Sequence, residues 1–273
     1  MGLILELRRS LKVPLDMSPI TPDNLIGKPL EEIYRLELWE GNRKTPLEKL
    51  FELEIVKGGE DLTIIGDLNK ARRIGFEMRS GKIRVKGDPG LYVGEAMQGG
   101  EITVEGDAGA WLGSMMAGGE IRVEGDAGDF VGSSYRGSRE GMEGGTIRIK
   151  GDAGDEVGCW MKGGLIWIDG DVGCFPGIHM IGGVIFIGGN CHGRVGAEMV
   201  GGKIIIQGEV PSILSSFQTS DIKKKVKVEG SPIQGPFYVF EGDVNEGGTG
   251  KIYINKERNP HLEWCEKLIG EID

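Results

Sequence analysis

A Gly-Asp dipeptide that returns at nearly constant intervals constrains this chain more than any other feature. Its equivalents begin at Gly66, Gly87, Gly106, Gly125, Gly151, Gly170, Gly189 and Gly208. The steps between them are 21, 19, 19, 26, 19, 19 and 19 residues. The step of 26 is one period plus seven residues, which fall within residues 133–142 and are expected to form a loop on one flank. A repeat this short cannot bury a face alone, so its units must stack on one another.

The residues before each Gly-Asp predict a short strand in every repeat unit. Apolar β-branched and polar residues alternate there, as in Ile83–Lys86 and Ile102–Glu105, which indicates one buried and one solvated face. The 49 glycines are about two and a half times ordinary usage and indicate many tight turns. The sequence therefore predicts an all-β fold, a parallel β-helix of about eight coils with a 19-residue repeat.

The flanking segments lack the repeat, and we expect them to form small α+β caps over the ends. Residues 1–56 are predicted as an N-terminal cap, 57–210 as the repeat domain and 211–273 as C-terminal strands and a helix. In the first cap, Thr21 and Thr45 each precede a proline and are expected to open short helices around a strand near residues 34–39. The last segment is expected to contain strands at Lys225–Glu229, Phe237–Phe240 and Lys251–Asn255, then a helix from Asn259 to about Ile269.

Seven of the ten methionines occupy one phase of the repeat, at Met78, Met97, Met116, Met142, Met161, Met180 and Met199. A file of thioethers could bind a soft metal such as Cu(I). It is more typical of an interior stack that fills space with adaptable side chains, and we expect it to be buried.

An acidic column follows the same period, at Asp67, Asp88, Asp107, Asp126, Asp152 and Asp171. Stacked carboxylates could bind calcium or act as the paired acids of a polysaccharide-cleaving enzyme. Each Asp also sits among glycines and small residues in a turn, where its side chain is expected to accept backbone N–H groups. Asn190 and Glu209 continue the column without interrupting the repeat, which favours the structural interpretation.

The remaining polar residues predict no catalytic, cofactor-binding or metal-binding site on this chain. The four cysteines lie at different phases and are expected to be buried or half-buried free thiols, with a metal or disulfide role as the alternative. No two of the three histidines share a phase. A net charge of −10 argues against nucleic acid, and no apolar run is long enough to cross a membrane. The protein is expected to be cytoplasmic.

The glycines obey a second rule, G-x-x-G-x-x-x-G, in five consecutive units that begin at Gly87, Gly106, Gly125, Gly151 and Gly170. This pattern resembles the repeat domain shared by the glutamate synthase large chain and the C subunit of formylmethanofuran dehydrogenase. Together with the insertion, the length and the flanks, the whole chain looks like a member of this C-subunit family. The resemblance implies a right-handed β-helix that acts as a non-catalytic scaffold, in a complex that reduces CO2 and attaches it as a formyl group to methanofuran in archaeal methanogenesis.

The same resemblance implies partners and cofactors that lie on other subunits. An amidohydrolase-like subunit with a dinuclear metal site, a subunit with a tungsten or molybdenum pterin, and iron–sulfur subunits would form the rest of the oxidoreductase. The corresponding subunit of a formyltransferase/hydrolase complex, which resembles it closely, is an alternative, as is a glutamate-synthase-type repeat protein. A free-standing carbohydrate-active protein is a further alternative, disfavoured because no outward cluster of Asp, Arg and Lys is visible in the sequence.

One stripe of outward-facing residues is predicted to be an interface. The position between the two buried residues of each strand is polar or cationic in five units and then becomes apolar at Trp167, Phe186 and Ile205. Such a stripe is not expected bare on a soluble protein. Either the terminal helix, with Leu262 and Trp264, or a partner subunit is expected to cover it.

Overall fold

The computed structural model describes residues 2–57 and 61–269, which are mostly strands. The strands before the repeat are β1 (Gly2–Leu7), β2 (Leu15–Asp16), β3 (Glu37–Glu40), β4 (Arg43–Pro46) and β5 (Phe51–Val56). The repeat contributes β6 (Leu62–Ile65), β7 (Ala71–Arg72), β8 (Lys82–Lys86), β9 (Glu101–Val104), β10 (Glu120–Val123), β11 (Thr146–Ile149), β12 (Leu165–Ile168), β13 (Val172–Cys174), β14 (Val184–Ile187), β15 (Cys191–Gly193) and β16 (Lys203–Ile206). The C-terminal strands are β17 (Gln218–Val228), β18 (Ser231–Gly242) and β19 (Gly250–Asn255).

Helices are few and short in the described part of the chain. They are α1 (Pro22–Leu25), α2 (Leu30–Tyr34) and α3 (Leu47–Leu50), with 3₁₀ helices η1 (Val244–Glu246) and η2 (Pro260–Leu268). Among residues 2–57 and 61–269, no helix is long and apolar enough to cross a membrane.

Equivalent residues of successive repeat units pair in parallel register through the middle of the main sheet. Ile83 pairs with Ile102, which pairs with Ile121, and the same register continues through β11, β12, β14 and β16 to Ile252 of β19. These isoleucines are at most 2% exposed, so the alternation read from the sequence sets which face of each strand is buried.

The predicted right-handed parallel β-helix of about eight coils is nevertheless wrong. The strands form one 13-stranded sheet of mixed orientation, in the order β17-β18-β19-β16-β14-β12-β11-β10-β9-β8-β6-β1-β5. Antiparallel pairs occupy its ends, because β1 pairs with β5 and β18 pairs with both β17 and β19. Outside this sheet, the described units contribute only β7, the parallel β13–β15 pair and isolated bridges such as Ala108 with Ala127. Most units thus supply one regular strand and much irregular, glycine-rich backbone.

The methionine file lies in the interior, as the sequence predicts. Its seven members are at most 1% exposed and belong to the largest apolar cluster. The terminal methyl group of Met116 lies against the second glycine of the next unit's glycine pair. A Cβ at Gly145 would lie 2.7 Å from the Cε of Met116, and Gly145 has a left-handed φ of +87°. Steric room and backbone conformation therefore both require glycine there.

The N-terminal segment packs a small sheet and short helices against the first units. Its four strands have the order β4-β3-β2-β7, so β2 pairs in parallel with β7 of the repeat. Thr21 is the N-cap of α1, and Pro46 rather than Thr45 is the N-cap of α3. The strand expected near residues 34–39 is β3, which begins at Glu37 and ends at Glu40.

The C-terminal segment extends the main sheet and closes it with a long hairpin. The strands expected there form, but β17 and β18 are 11 and 12 residues long, much longer than predicted. The terminal helix begins at Pro260 after Asn259, as expected, and is a 3₁₀ helix. The largest apolar cluster includes residues from Leu3 to Cys265, and the division at residues 56 and 210 stays a prediction.

Candidate functional site

A column of strained residues runs along one flank of the stacked units. Its members have left-handed φ angles of 56° to 67° although none is glycine, and they are Arg73, Tyr92, Trp111, Phe130, Glu156, Phe175 and Arg194. A single non-glycine residue in this conformation is uncommon, and seven at one repeat position form a regular feature. Because such strain persists only where the surroundings enforce it, this column marks a candidate site. We call this column, with residues 134–141 and Trp160, the aromatic flank.

Aromatic rings stack along the column from one unit to the next. The ring centroids of Tyr92 and Trp111 are 5.3 Å apart, and those of Trp111 and Phe130 are 4.5 Å apart with planes at 17°. All three rings are half-buried. The indole nitrogen of Trp111 is buried and has no acceptor among the described residues. The stack is therefore partly exposed, and its buried donor lacks an acceptor within the described part of the chain.

The seven-residue insertion forms an irregular loop that packs over this stack. Tyr135 lies against Tyr92, with centroids 5.5 Å apart. The guanidinium of Arg136 lies 5.7 Å from the ring centre of Phe130, and that of Arg139 lies 5.1 Å from the ring of Trp160. The expected loop on one flank is thus confirmed, and its side chains contact three different units.

A partly buried ion-pair cluster around Glu95 fixes the loop to the stack and to the N-terminal segment. The Arg73 Nε donates to Glu95 Oε2 at 2.9 Å, and its Nη1 lies 3.3 Å from Asp16 Oδ2. The Tyr135 hydroxyl donates to the other oxygen of Glu95. The side chain of Glu95 is only 4% exposed, so these bonds compensate a buried charge.

The cluster raises the pKa values of Arg73 and Tyr135, which keeps the guanidinium charged and the hydroxyl neutral at neutral pH. Burial opposes the charge on Arg73, but the Tyr135 hydroxyl and the Glu95 carboxylate outweigh it and raise the pKa of Arg73. Burial and the bond to Glu95 raise the pKa of Tyr135. A cavity of about 300 Å³ lies beside the cluster, lined by Asp16, Trp39, Arg72, Arg73 and Tyr92.

The predicted apolar stripe lies on the main sheet beneath the C-terminal hairpin. Phe186 is 6% exposed and Ile205 is fully buried, in a cluster with Val226, Val228, Phe237, Val239 and Tyr253. Trp167 packs against this cluster, with its ring stacked 3.9 Å from that of Phe186. Arg148 reaches the hairpin turn, where its Nη2 donates to Glu229 Oε2 at 2.8 Å.

The terminal helix does not provide this cover. Its Leu262 belongs to the other apolar cluster, and Trp264 is 52% exposed. The segment that lies over Phe186 and Ile205 is instead the hairpin of β17 and β18. The alternative, in which a partner subunit covers Trp167, Phe186 and Ile205, stays a prediction.

The acidic column is a ladder of backbone bonds between units, as its turn position predicted. The Oδ1 of Asp107 accepts the backbone N–H of Asp126 at 2.8 Å, and the same bond links Asp88, Asp107, Asp126, Asp152, Asp171 and Asn190 in turn. The accepted N–H belongs to the next unit, so the column stabilises the stacking itself.

The thiols and imidazoles are dispersed. All four cysteines are free, and burial raises the pKa of Cys159 and of Cys191 to about 12 each. His179 stacks on Trp160 with its Nδ1 3.3 Å from Glu198, and His261 bonds the carbonyl of Val210. Within residues 2–57 and 61–269, no three His, Cys, Asp or Glu side chains converge as metal ligands. That the chain carries no catalytic residue and no cofactor stays a prediction.

Sequence reasoning missed the aromatic flank, although its signal is present. Six members of the column lie five residues after the glycine of a Gly-Asp equivalent, as in Tyr92 after Gly87 and Trp111 after Gly106, and Arg73 lies seven after Gly66. Aromatic residues or arginine fill six of its seven places. The cluster around Glu95 had no such signal, because Asp16, Arg73 and Tyr135 are far apart in the sequence.

Comparisons with known proteins identify relatives of this chain. It is similar to a solved chain of the formyltransferase/hydrolase complex (FhcABCD) from Methylorubrum extorquens in complex with methylofuran. The two are 31% identical with a TM-score of 0.80, and the similarity covers 92% of this chain and 99% of that one. No known protein-family profile matches the chain.

Curated relatives match over a shorter stretch. The chain is 41% identical over 95 residues to the C subunit of molybdenum-containing formylmethanofuran dehydrogenase 1 from Methanothermobacter thermautotrophicus. The matched stretch is 34% of this chain and 24% of that protein. It is also 41% identical over 93 residues to the C subunit of tungsten-containing formylmethanofuran dehydrogenase 2 from Methanococcus maripaludis. That stretch is 34% of this chain and 34% of that protein. The chain thus spans only a quarter to a third of the curated relatives it matches.

Proposed function

Because this chain belongs to the family of formylmethanofuran dehydrogenase C subunits, we propose that it is a non-catalytic scaffold subunit of such a complex. The complex would reduce CO2 and attach it as a formyl group to methanofuran, as in the methanogenesis of archaea. The observation that carries the proposal is the similarity over 99% of a chain that works within a multi-subunit assembly.

The arrangement of the chain's reactive side chains supports a structural role. The aspartates of the ladder accept backbone N–H groups of the next unit. The carboxylates of Asp16 and Glu95 are held by Arg73. With their raised pKa values, Cys159 and Cys191 remain thiols at neutral pH and are poor nucleophiles and poor metal ligands.

The cofactors of the proposed complex belong to other subunits. A tungsten or molybdenum pterin, iron–sulfur clusters and a dinuclear metal site would lie on a pterin-binding subunit, iron–sulfur subunits and an amidohydrolase-like subunit. This chain would hold these partners together through its extended side faces, because stacked repeat units offer long surfaces for binding.

A second candidate is the equivalent subunit of a formyltransferase/hydrolase complex, which the solved relative favours. The two proposals differ in redox chemistry, because formyl transfer and hydrolysis need no electron transfer. Purification through an affinity tag on this chain, from its native organism, distinguishes them. We expect co-purifying subunits with stoichiometric tungsten or molybdenum, whereas partners without either metal would favour the second candidate.

The matched control for this purification is the tagged chain produced alone. We expect it to bind neither metal nor pterin and to form no formylmethanofuran. A tagged chain that leaves its native organism without partner subunits would contradict both candidates. Turnover by the lone chain would contradict the non-catalytic role.

A further inference from the structure

Three arginines of the aromatic flank are held in place without a carboxylate partner among the described residues. Arg136 and Arg139 lie over the rings of Phe130 and Trp160, and Arg194 lies 5.2 Å from the ring centre of Phe175. All three are exposed, and none forms an ion pair with a described residue. A guanidinium that lies over an aromatic ring keeps its N–H donors available for other acceptors.

The other arginines of the described chain differ from these three. Arg73 and Arg148 also lie over rings, but each has a carboxylate partner. Arg35 and Arg79 are exposed and form no ion pair within the described ranges, but neither lies over a ring there. Among residues 2–57 and 61–269, only the aromatic flank positions unpaired guanidinium groups by stacking.

Most carboxylates near these arginines are already engaged. Asp129 and Asp155 each accept a backbone N–H of the next unit through Oδ1. Lys162 pairs with Glu140 and with Glu143. Glu156, between Phe130 and Phe175 in the column, has no ion-pair partner among the described residues. These units therefore carry three guanidinium groups but one carboxylate, that of Glu156, without a partner among the described residues.

The arginines also lie at a spacing that one chain segment can follow. The units of Phe130, Glu156, Phe175 and Arg194 are neighbours, because backbone bonds link each unit to the next. Neighbouring strands are about 4.8 Å apart, so the four units to which Phe130, Trp160, Phe175 and Arg194 belong span about 15 Å. That distance corresponds to roughly five residues of extended chain.

The loop that presents Arg136 and Arg139 is anchored to the repeat by contacts within this chain. Tyr135 fixes it to Glu95, which is buried and bound to Arg73. Association then orders fewer side chains, which favours binding. Tryptophan, tyrosine and arginine are also the residues most enriched at binding hot spots.

We propose that the aromatic flank docks an acidic segment of a partner subunit, whose carboxylates bind Arg136, Arg139 and Arg194. This rests on the proposed function, since it requires that the chain assembles with other subunits. Arg–carboxylate bonds are strong and directional, and each guanidinium can bind one carboxylate through two parallel N–H donors.

The first test measures hydrogen exchange of residues 133–142 in the tagged complex and in the full chain alone. We expect exchange there to slow by about tenfold or more on assembly, because docking excludes solvent from the loop. Unchanged exchange in a complex that retains its partner subunits overturns the docking site and leaves the proposed function standing. A wild-type chain that retains no partner overturns both.

The second test changes the charge of the loop. Arg136→Glu with Arg139→Glu is expected to speed partner dissociation by about tenfold or more, and more salt is expected to weaken the wild-type complex. Arg35→Glu with Arg79→Glu is the matched control, with the same change of charge elsewhere, and should dissociate like wild type.

Two further measurements keep the second test decisive. Arg136→Lys with Arg139→Lys retains the charge without the planar fork, so its dissociation should be intermediate. If the Glu variant melts at a lower temperature than wild type, the Lys variant is used in its place. Protection of the loop with normal dissociation of the Glu variant overturns the acidic chemistry of the partner. Stabilisation of the full chain by inorganic phosphate, with normal assembly of the variants, assigns the arginines to a small anion instead.

Discussion

Replacing Gly145 with alanine tests the interior packing of the repeat. A Cβ there would lie 2.7 Å from the Met116 Cε, 2.8 Å from the Gly119 carbonyl oxygen and 2.9 Å from the Gly118 carbonyl carbon. Two of the three atoms are backbone and cannot move aside alone. The left-handed φ of +87° adds about 1–2 kcal/mol for a non-glycine residue. Overpacking adds about 1–3 kcal/mol, so we expect a total near 2–5 kcal/mol.

Gly137→Ala is the matched control for this substitution. Gly137 has a φ of +83° but no atom within 4 Å of the Cβ position. Both substitutions reduce the entropy of the unfolded chain equally, so that effect cancels in the comparison. Urea unfolding of the two variants should therefore differ by the packing contribution alone, about 1–3 kcal/mol.

A double-mutant cycle with Met116→Ala separates the side-chain contact from the backbone contacts. Truncating Met116 removes its Cε methyl group and should relieve part of the destabilisation caused by Gly145→Ala, with a coupling free energy of about 1 kcal/mol. Equal destabilisation by Gly145→Ala and Gly137→Ala would refute the tight stacking of units over the methionine file.

Three further substitutions test other parts of the molecule. Met161→Asp should destabilise the chain by several kcal/mol because it buries an unpaired charge, whereas Met161→Leu should cost under about 1.5 kcal/mol; equal tolerance in thermal melts would place the file in solvent. Glu95→Gln should cost about 1–3 kcal/mol and speed hydrogen exchange in the insertion, since a buried charge-assisted network loses its centre; unchanged exchange would contradict that role. Phe186→Lys should lower the melting temperature of the lone chain, while Thr103→Lys, at the equivalent position four strands earlier, should not. Normal melting of the Phe186 variant would mean that the hairpin does not cover the stripe.

Local periodicity predicted the interior of the repeat well. The burial of Ile83, of Val85 and of the seven methionines was predicted correctly. It depends only on the alternation of neighbouring residues and on stacking of the units at one period. The aspartate turns were also predicted, because a short acceptor among glycines has few partners other than backbone N–H groups.

The mixed sheet could not be read from the same pattern. The repeat, which is predicted to cover residues 57–210, carries no information on how β1, β5 or β18 pair. The pairing of β1 with β5 is long-range, joining Leu7 to Phe51, and β17, β18 and β19 pair as antiparallel neighbours outside the repeat. The hairpin over Phe186 was missed for a related reason, because its length makes β17 and β18 reach a face that the terminal helix was expected to cover.

The candidate site was predictable only in part. The loop position followed from the step of 26 residues, and the aromatic column was visible at a fixed offset. The hydrogen bonds of Glu95 with Arg73 and Tyr135 join residues up to 40 positions apart, so no local sequence pattern predicts them.

Omitting this chain from the reconstituted complex tests whether it is a scaffold without chemistry of its own. We expect the remaining subunits to retain their metals but to separate from one another, with formylmethanofuran formation lost and then restored when the purified chain is added. The lone chain should show no turnover at any step. Full activity of a stable complex assembled without this chain, or turnover by the chain alone, would contradict the account.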